Sequence, residues 1–174
     1  MREESNLVPT GLEVLNRAIL VHMKPLGAGV ALCVAFALYC FSQESADPWP
    51  QTAVLETVDL VKAIQAPKPP VIISVAFPVL YRSKHIVHAI DAGPTSQPEG
   101  IAALKKAVAG LSKDADIVIY CGCCPMVKCP NIRPAFRTLK ELGFTHVRVL
   151  DIPTNMHTDW DAKNYPSESG TAGQ

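Results

Sequence analysis

Apolar residues between positions 53 and 150 follow two alternating rhythms, separated by Pro and Gly. Short runs rich in β-branched side chains predict strands, and apolar positions three or four apart predict helices. Residues 53–55 read as a short edge strand, and residues 57 to about 65 as a helix capped by Thr57, with Val58, Val61 and Ile64 on one face. Ala66-Pro67-Lys68-Pro69-Pro70 ends that helix. Residues 71–76, Val-Ile-Ile-Ser-Val-Ala, are almost continuously apolar, as in a parallel strand buried on both faces. A brief helix at 78–83, a strand at 86–90 and a helix at 100–111 (Ile101, Leu104, Val108 and Leu111 inward) follow. Residues 117–120, Ile-Val-Ile-Tyr, form the next strand. An amphipathic helix at 134–142 carries Ala135, Phe136, Leu139 and Leu142, with Gly143 as its stop. A last strand at 146–150 and a short polar helix near 158–163 complete the pattern. This β-α alternation predicts an α/β fold, an open parallel sheet with helices on both faces.

The flanks read differently. Residues 47–51, with Pro-Trp-Pro, form an extended lead-in to a domain spanning 47–166, and residues 167–174 form a Ser/Gly-rich tail expected to fray. Residues 26–41 are uncharged and apolar, close to the length of a signal-peptide core and somewhat short of a comfortable bilayer span. Residues 1–46 are therefore read as an extension plus a cleaved secretory signal, with an uncleaved membrane anchor as the alternative. Met23-Lys24 just before the apolar core makes Met23 a candidate translation start. Either reading places the domain outside the cytoplasm, in the periplasm or secreted.

Lys plus Arg and Asp plus Glu each number 16, so the formal net charge is zero, and no basic run points to nucleic acid. No feature specifies an oligomer. Hydrophobic residues make up 48%, enough for a real core, although the 26–41 segment inflates the figure.

The chemistry concentrates in the loop after the Ile-Val-Ile-Tyr strand. Two of the six cysteines, Cys33 and Cys40, sit in the apolar segment; the other four, Cys121, Cys123, Cys124 and Cys129, fall within nine positions. A framework of long-range disulfides would spread them, so their clustering argues for local nucleophile, redox or metal chemistry. A thiolate at the entry to a helix is stabilised by free N–H groups and the helix dipole, and Lys128, Arg133 and Arg137 add positive charge. From residue 117 to 140 there is no Asp or Glu to oppose them. Four thiols within nine residues could wrap one Zn²⁺ or a soft copper ion, but adjacent cysteines and a Cys-x-Cys spacing match poorly the Cys-x₂-Cys knuckles of zinc sites, so no metal is assigned and no cofactor is called for. A thiol-disulfide redox or non-catalytic binding module, and after it a Cys-ligated metal protein, are the alternatives to catalysis. A static Cys124–Cys129 disulfide that merely closes the loop is the bland alternative. His85 and His88 fall in a strand-like stretch on opposite faces and read as packing or capping residues.

The order of elements, with a cysteine directly after the Ile-Val-Ile-Tyr strand, resembles the rhodanese-like domain family over residues 53–166. Further landmarks are the segment Tyr81-Arg-Ser-Lys-His-Ile-Val-His-Ala-Ile90, Leu142-Gly143-Phe144 followed by Val147-Arg148-Val149-Leu150, and Trp160 with Tyr165-Pro166. The resemblance implies a sulfurtransferase that carries sulfane sulfur as a cysteine persulfide, between a small sulfur donor and a thiol acceptor. By position the nucleophile is Cys121, with Cys129 as the alternative because Cys129-Pro-Asn-Ile-Arg133 leads directly into a helix. Arg133, Gly122, Asn131 and Lys128 are the expected substrate-binding residues, with backbone N–H groups of residues 122–132 facing the anion. Cys123, Cys124 and Cys129 are resolving or redox candidates. Two departures stand out: Ser74-Val75-Ala76 replaces the family's Asp-Val-Arg, and the cysteine loop is about twice the usual length. His157, with Asn155, Asp159 and Trp160, falls in a segment that in this fold approaches the site's mouth.

Overall fold

The computed structural model describes residues 47–170, and the apolar segment at 26–41 lies outside that range. Five parallel strands form one sheet in the order β1-β6-β5-β2-β4: β1 (Val54–Leu55), β2 (Val71–Ser74), β4 (Ile90–Asp91), β5 (Ile117–Tyr120) and β6 (Val147–Leu150). Between them run α1 (Thr57–Ile64), α2 (Pro78–Ser83), α3 (Pro98–Ala107) and α4 (Ile132–Glu141). A short α5 (Met156–Asp159) follows β6.

Period-two alternation along the central strand sorts the core into two halves. Ile117, Ile119 and Cys121 face a cluster built with Leu104 and Val108 near α3 and Ile132, Ala135, Phe136 and Leu139 of α4. Val118 and Tyr120 face the opposite cluster, which holds Leu60 of α1, Tyr81 of α2, Ile86 and Trp160. Helices thus cover both faces, as the nearly unbroken apolar runs of β2 and β5 require. Each large apolar side chain buried this completely stabilises the fold by about 1.5–3 kcal/mol.

Several local expectations change. Thr57 is the first residue of α1, Glu56 occupies the cap, and the helix buries Thr57 and Leu60 while Val58 stays 47% exposed. The strand expected at 86–90 is broken: His88 adopts φ 62°, and the Ala89 N–H bonds the Ile86 carbonyl. That turn lets β3 (His85–Ile86) leave the main sheet while Ile90 continues beside Ile73. Ser167–Glu168, placed in the fraying tail by the sequence, form β7 and pair antiparallel with β3. Glu168 Oε1 anchors this pairing by accepting from the His88 N–H at 2.7 Å and lying 3.3 Å from His85 Nε2. His85 itself is buried and stacked on Tyr81, a packing role.

Candidate active site

At the carboxyl edge of the sheet, β5 ends at Tyr120 and the chain turns sharply at Gly122, φ 72°. The turn also needs the missing side chain: a Cβ on Gly122 would lie 2.9 Å from the Met156 Cβ. The Gly122 carbonyl accepts the Met156 N–H at 2.9 Å, so the cysteine loop and α5 are laced together here. Because Cys121 keeps the parity of Ile117 and Ile119, its side chain turns toward α4, where it meets the remaining loop sulfurs.

Cys121 Sγ lies 3.1 Å from Cys123 Sγ, which is 3.3 Å from Cys124 Sγ. The Sγ atoms of Cys121, Cys123 and Cys129 all fall within 4.8 Å of one another. All four loop cysteines are free thiols, so the loop is not closed by a Cys124–Cys129 disulfide. Asn131, fully buried at the start of α4, donates from Nδ2 to Cys121 Sγ at 3.4 Å. Its own position is fixed by Ser96, whose N–H bonds Oδ1 at 3.0 Å, and by the Thr95 hydroxyl, which donates to its carbonyl.

At the start of α4 the backbone N–H groups serve Cys129, while the Asn131 side chain serves Cys121. Contact with the Cys121 sulfur and then burial push the Cys129 thiol far up, while the N–H groups of Asn131 and Ile132 at its sulfur pull it the other way. Burial pushes Cys123 up to about 12 and raises Cys124 as well. Loop N–H groups are largely occupied. Met126 donates to Ile152, Lys128 to Pro125 and Cys129 to Met126, which leaves the N–H groups of Gly122, Cys123 and Cys124 without a backbone acceptor beside Cys121.

A cavity of about 520 Å³ opens beside this cluster. Its lining includes Cys121, Gly122 and Cys123 of the loop, Tyr81 and Tyr120, and Asn155, Met156 and His157 after β6. Burial raises the Tyr120 hydroxyl and pushes Tyr81 up to about 12, with Asp91 adding to the latter, so both phenols are neutral, Tyr81 donating to the Ala89 carbonyl and Tyr120 accepting from the Ile86 N–H. Of the late segment flagged in the sequence, Asn155 and His157 line the cavity. Trp160 is buried in the core, and Asp159 caps the 154–155 turn, accepting from both N–H groups.

Cys129 is fully buried and does not line the cavity, and neither do Lys128 and Arg133. Arg133 is tied elsewhere: Nη2 donates to the Val127 carbonyl at 2.8 Å and to Asp47, Nη1 donates to the Cys129 carbonyl, and the guanidinium lies over Trp49. It clamps the lead-in and the far side of the loop. The cation at the cavity is instead Lys84, a residue the sequence did not single out, with Asp161 Oδ1 3.3 Å from its Nζ. That oxygen is buried without an aligned hydrogen bond, so the contact is one of charge alone. Lys84 was hidden in the sequence because only the packing of α2 against the 155–161 segment makes it a wall residue.

The sequence profile of the Rhodanese-like domain family matches residues 57–152, more than half of the chain. The chain belongs to the rhodanese-like domain family. None of the curated proteins matches this sequence. Among solved structures, the Alr3790 protein from Anabaena sp. superposes with a TM-score of 0.52 at 21% identity, covering 68% of this chain and 94% of that one. The BH2092 protein from Bacillus halodurans superposes with a TM-score of 0.53 at 20% identity, covering 78% and 84%. At these identities the likeness is one of fold. Within this rhodanese-like domain Ser74 and Ala76, which stand where the resemblance expects the Asp and Arg of Asp-Val-Arg, line the cavity without charge, and Lys84 and Asp161 are the Lys, Arg, Asp or Glu residues of its lining.

Proposed function

We propose that this protein is an exported sulfurtransferase in which Cys121 carries sulfane sulfur as a persulfide. The observation that supports it is access. Cys121 and Cys123 line the open cavity at the carboxyl edge of the parallel sheet, where ligands of such folds bind, while Cys129 is sealed beneath the loop. With thiosulfate as donor, the Cys121 thiolate attacks the outer sulfur, the S–S bond of thiosulfate breaks, and sulfite leaves with the electron pair. An acceptor thiolate then takes the outer sulfur and returns Cys121 as a thiolate. The amide of Asn131, 3.4 Å from Cys121 Sγ, would stabilise the anionic persulfide, with the N–H groups of Gly122 and Cys123 as further donors. Export rests on the apolar segment at 26–41, and removal of that segment should leave the protein in the cytoplasmic fraction.

The test is intact mass of the reduced protein before and after thiosulfate. A gain of one sulfur that disappears in Cys121→Ser supports the assignment. A gain that persists in Cys121→Ser and disappears in Cys129→Ser would move the nucleophile to Cys129, and no gain would remove the sulfurtransferase reading.

The 3.1 Å contact between Cys121 and Cys123 supports a second step. The Cys123 thiol attacks the inner sulfur of the Cys121 persulfide, forming a Cys121–Cys123 disulfide and expelling the sulfane sulfur, with the two protons, as hydrogen sulfide. Two thiols are oxidised and one sulfur is reduced, and an external dithiol resets the pair. Sulfide released from the persulfidated protein without added thiol, and abolished in Cys123→Ser, is the expected result; equal release from that variant excludes the step.

A further inference from the structure

The sulfur cluster has a property that sulfur transfer through Cys121 does not use. Sulfur transfer needs one thiol, and its resolution a second, yet the fold converges three. Among the described residues, Cys121, Cys123 and Cys129 make the one group of three cysteine, histidine or acidic side chains whose donor atoms meet closely enough for one ion. The three come from two separate parts of the loop, the turn after β5 and the residue three before the first of α4, so the convergence is tertiary and not a by-product of sequence adjacency.

The geometry points to a binding site for a soft monovalent d¹⁰ cation, Cu(I), held in trigonal coordination by the thiolates of Cys121, Cys123 and Cys129. A trigonal ion with metal–sulfur bonds of about 2.3 Å needs sulfurs about 4.0 Å apart. The observed separations start at 3.1 Å for Cys121 and Cys123 and stay within 4.8 Å for the set, so small side-chain rotations reach that spacing. The fourth cysteine does not belong to the set. Cys124 Sγ touches Cys123 Sγ at 3.3 Å but is not within 4.8 Å of all three, which leaves the donors short of the four-sulfur tetrahedron that structural zinc prefers. Softness agrees: between residues 117 and 140 there is no carboxylate for a hard ion, and thiolates select Cu(I). Beneath the loop, Cys121, Cys124, Met126 and Cys129, with Ile132 and Ile152, enclose a hole too small for a water molecule. It keeps water from the inner side of Cys121 and Cys129, while Cys123 lies outside it. The anionic complex has donors in place: Asn131 Nδ2 reaches Cys121 Sγ at 3.4 Å, the kind of outer hydrogen bond that steadies metal thiolates. Binding releases three protons to solvent, one per thiol, and moves no electrons.

The site overlaps the sulfur-transfer nucleophile without depending on it. An ion on Cys121 blocks persulfide formation, so metal loading and sulfur uptake exclude one another.

The test uses the full chain with Cys33 and Cys40 replaced by Ser, reduced, anaerobic and free of sulfur donor. It is titrated with Cu(I) held by bathocuproine disulfonate, and, in parallel, with Zn(II). The expected result is withdrawal of one Cu(I) per chain from the chelator, with thiolate-to-copper absorption in the ultraviolet. Cys123→Ser and Cys129→Ser each weaken binding by about 100-fold or more, and Cys124→Ser changes it by less than about threefold. Circular dichroism checks that each variant is folded. Cys123 is partly exposed, so its variant keeps the test valid where Cys129→Ser fails to fold. No withdrawal of Cu(I), loss in Cys124→Ser equal to that in Cys123→Ser, or tighter binding of Zn(II) by all four thiols overturns the site. Persulfide formation is measured separately without copper, so failure of either reading leaves the other standing. Copper-loaded protein that still gains a sulfur from thiosulfate would refute the mutual exclusion and, with it, Cys121 as a ligand.

Discussion

Gly122→Ala tests the joint between the cysteine loop and α5. Two costs add. Ala at φ 72° pays the left-handed penalty of about 1–2 kcal/mol. Its Cβ would stand 2.9 Å from the Met156 Cβ, with the Met156 sulfur at 3.2 Å. Because the nearest atom is the root of that side chain and not its flexible end, the backbone must move, an overpacking cost of about 1–3 kcal/mol. The sum, about 2–5 kcal/mol, should lower the urea midpoint by roughly 1–2 M, read from the fluorescence of Trp49 and Trp160, both buried. Met156→Gly separates the parts, since it removes the clash and leaves φ. In that background the penalty for Gly122→Ala should fall to about 1–2 kcal/mol. A penalty below about 0.5 kcal/mol in the parent, or the same penalty in both backgrounds, would refute this account of the joint.

Alkaline pH should loosen the fold. Below pH 9.0 the Cys123 and Cys129 thiols are protonated in both states; above it they ionise when unfolded, whereas in the fold Cys123 stays protonated until about 12 and Cys129 is likewise raised, so stability falls as pH rises from 9 toward 12. Urea midpoints measured from pH 8 to 10.5 should show the decline, and Cys129→Ala should flatten it. Trp160→Ala removes a fully buried ring that packs edge-on against Tyr165 and donates to the Pro166 carbonyl, and should cost about 3–5 kcal/mol in the same assay. His88→Gly relieves a left-handed residue that is exposed, and should be neutral or stabilising by up to about 1 kcal/mol; a loss above that would assign the imidazole a role its surroundings do not show.

The loop's chemistry was readable in part. The family resemblance nominated Cys121 by position, and the run from Cys129 to Arg133 nominated Cys129 as the alternative; the structure adds that Asn131 from this run reaches Cys121 Sγ. Arg133 was nominated for charge and proximity in sequence, yet its guanidinium is engaged by Val127, Asp47 and Trp49 on the loop's far side. A side chain of that reach can serve either face of its helix, and only the docking of the lead-in onto α4 decides which. Lys84 shows the converse: nothing around it in the chain marks it, and it becomes a cavity residue through Asp161.

By itself the sequence determined the alternation of strands and helices, the burial of β2 and β5 on both faces, and the placement of a cysteine at the carboxyl end of β5, because these depend on short-range periodicity that survives in any packing. Tertiary structure decided what periodicity cannot encode. A single left-handed residue, His88, split one expected strand into two and gave the tail a partner in β3. The return of the chain from β6 through α5 closed the cavity over Gly122. The fold of the loop back onto α4 brought Cys129 from eight residues away into contact range of Cys121 and Cys123. Such meetings are set by chain closure and side-chain volume between distant segments, and these are fixed only when the whole domain packs.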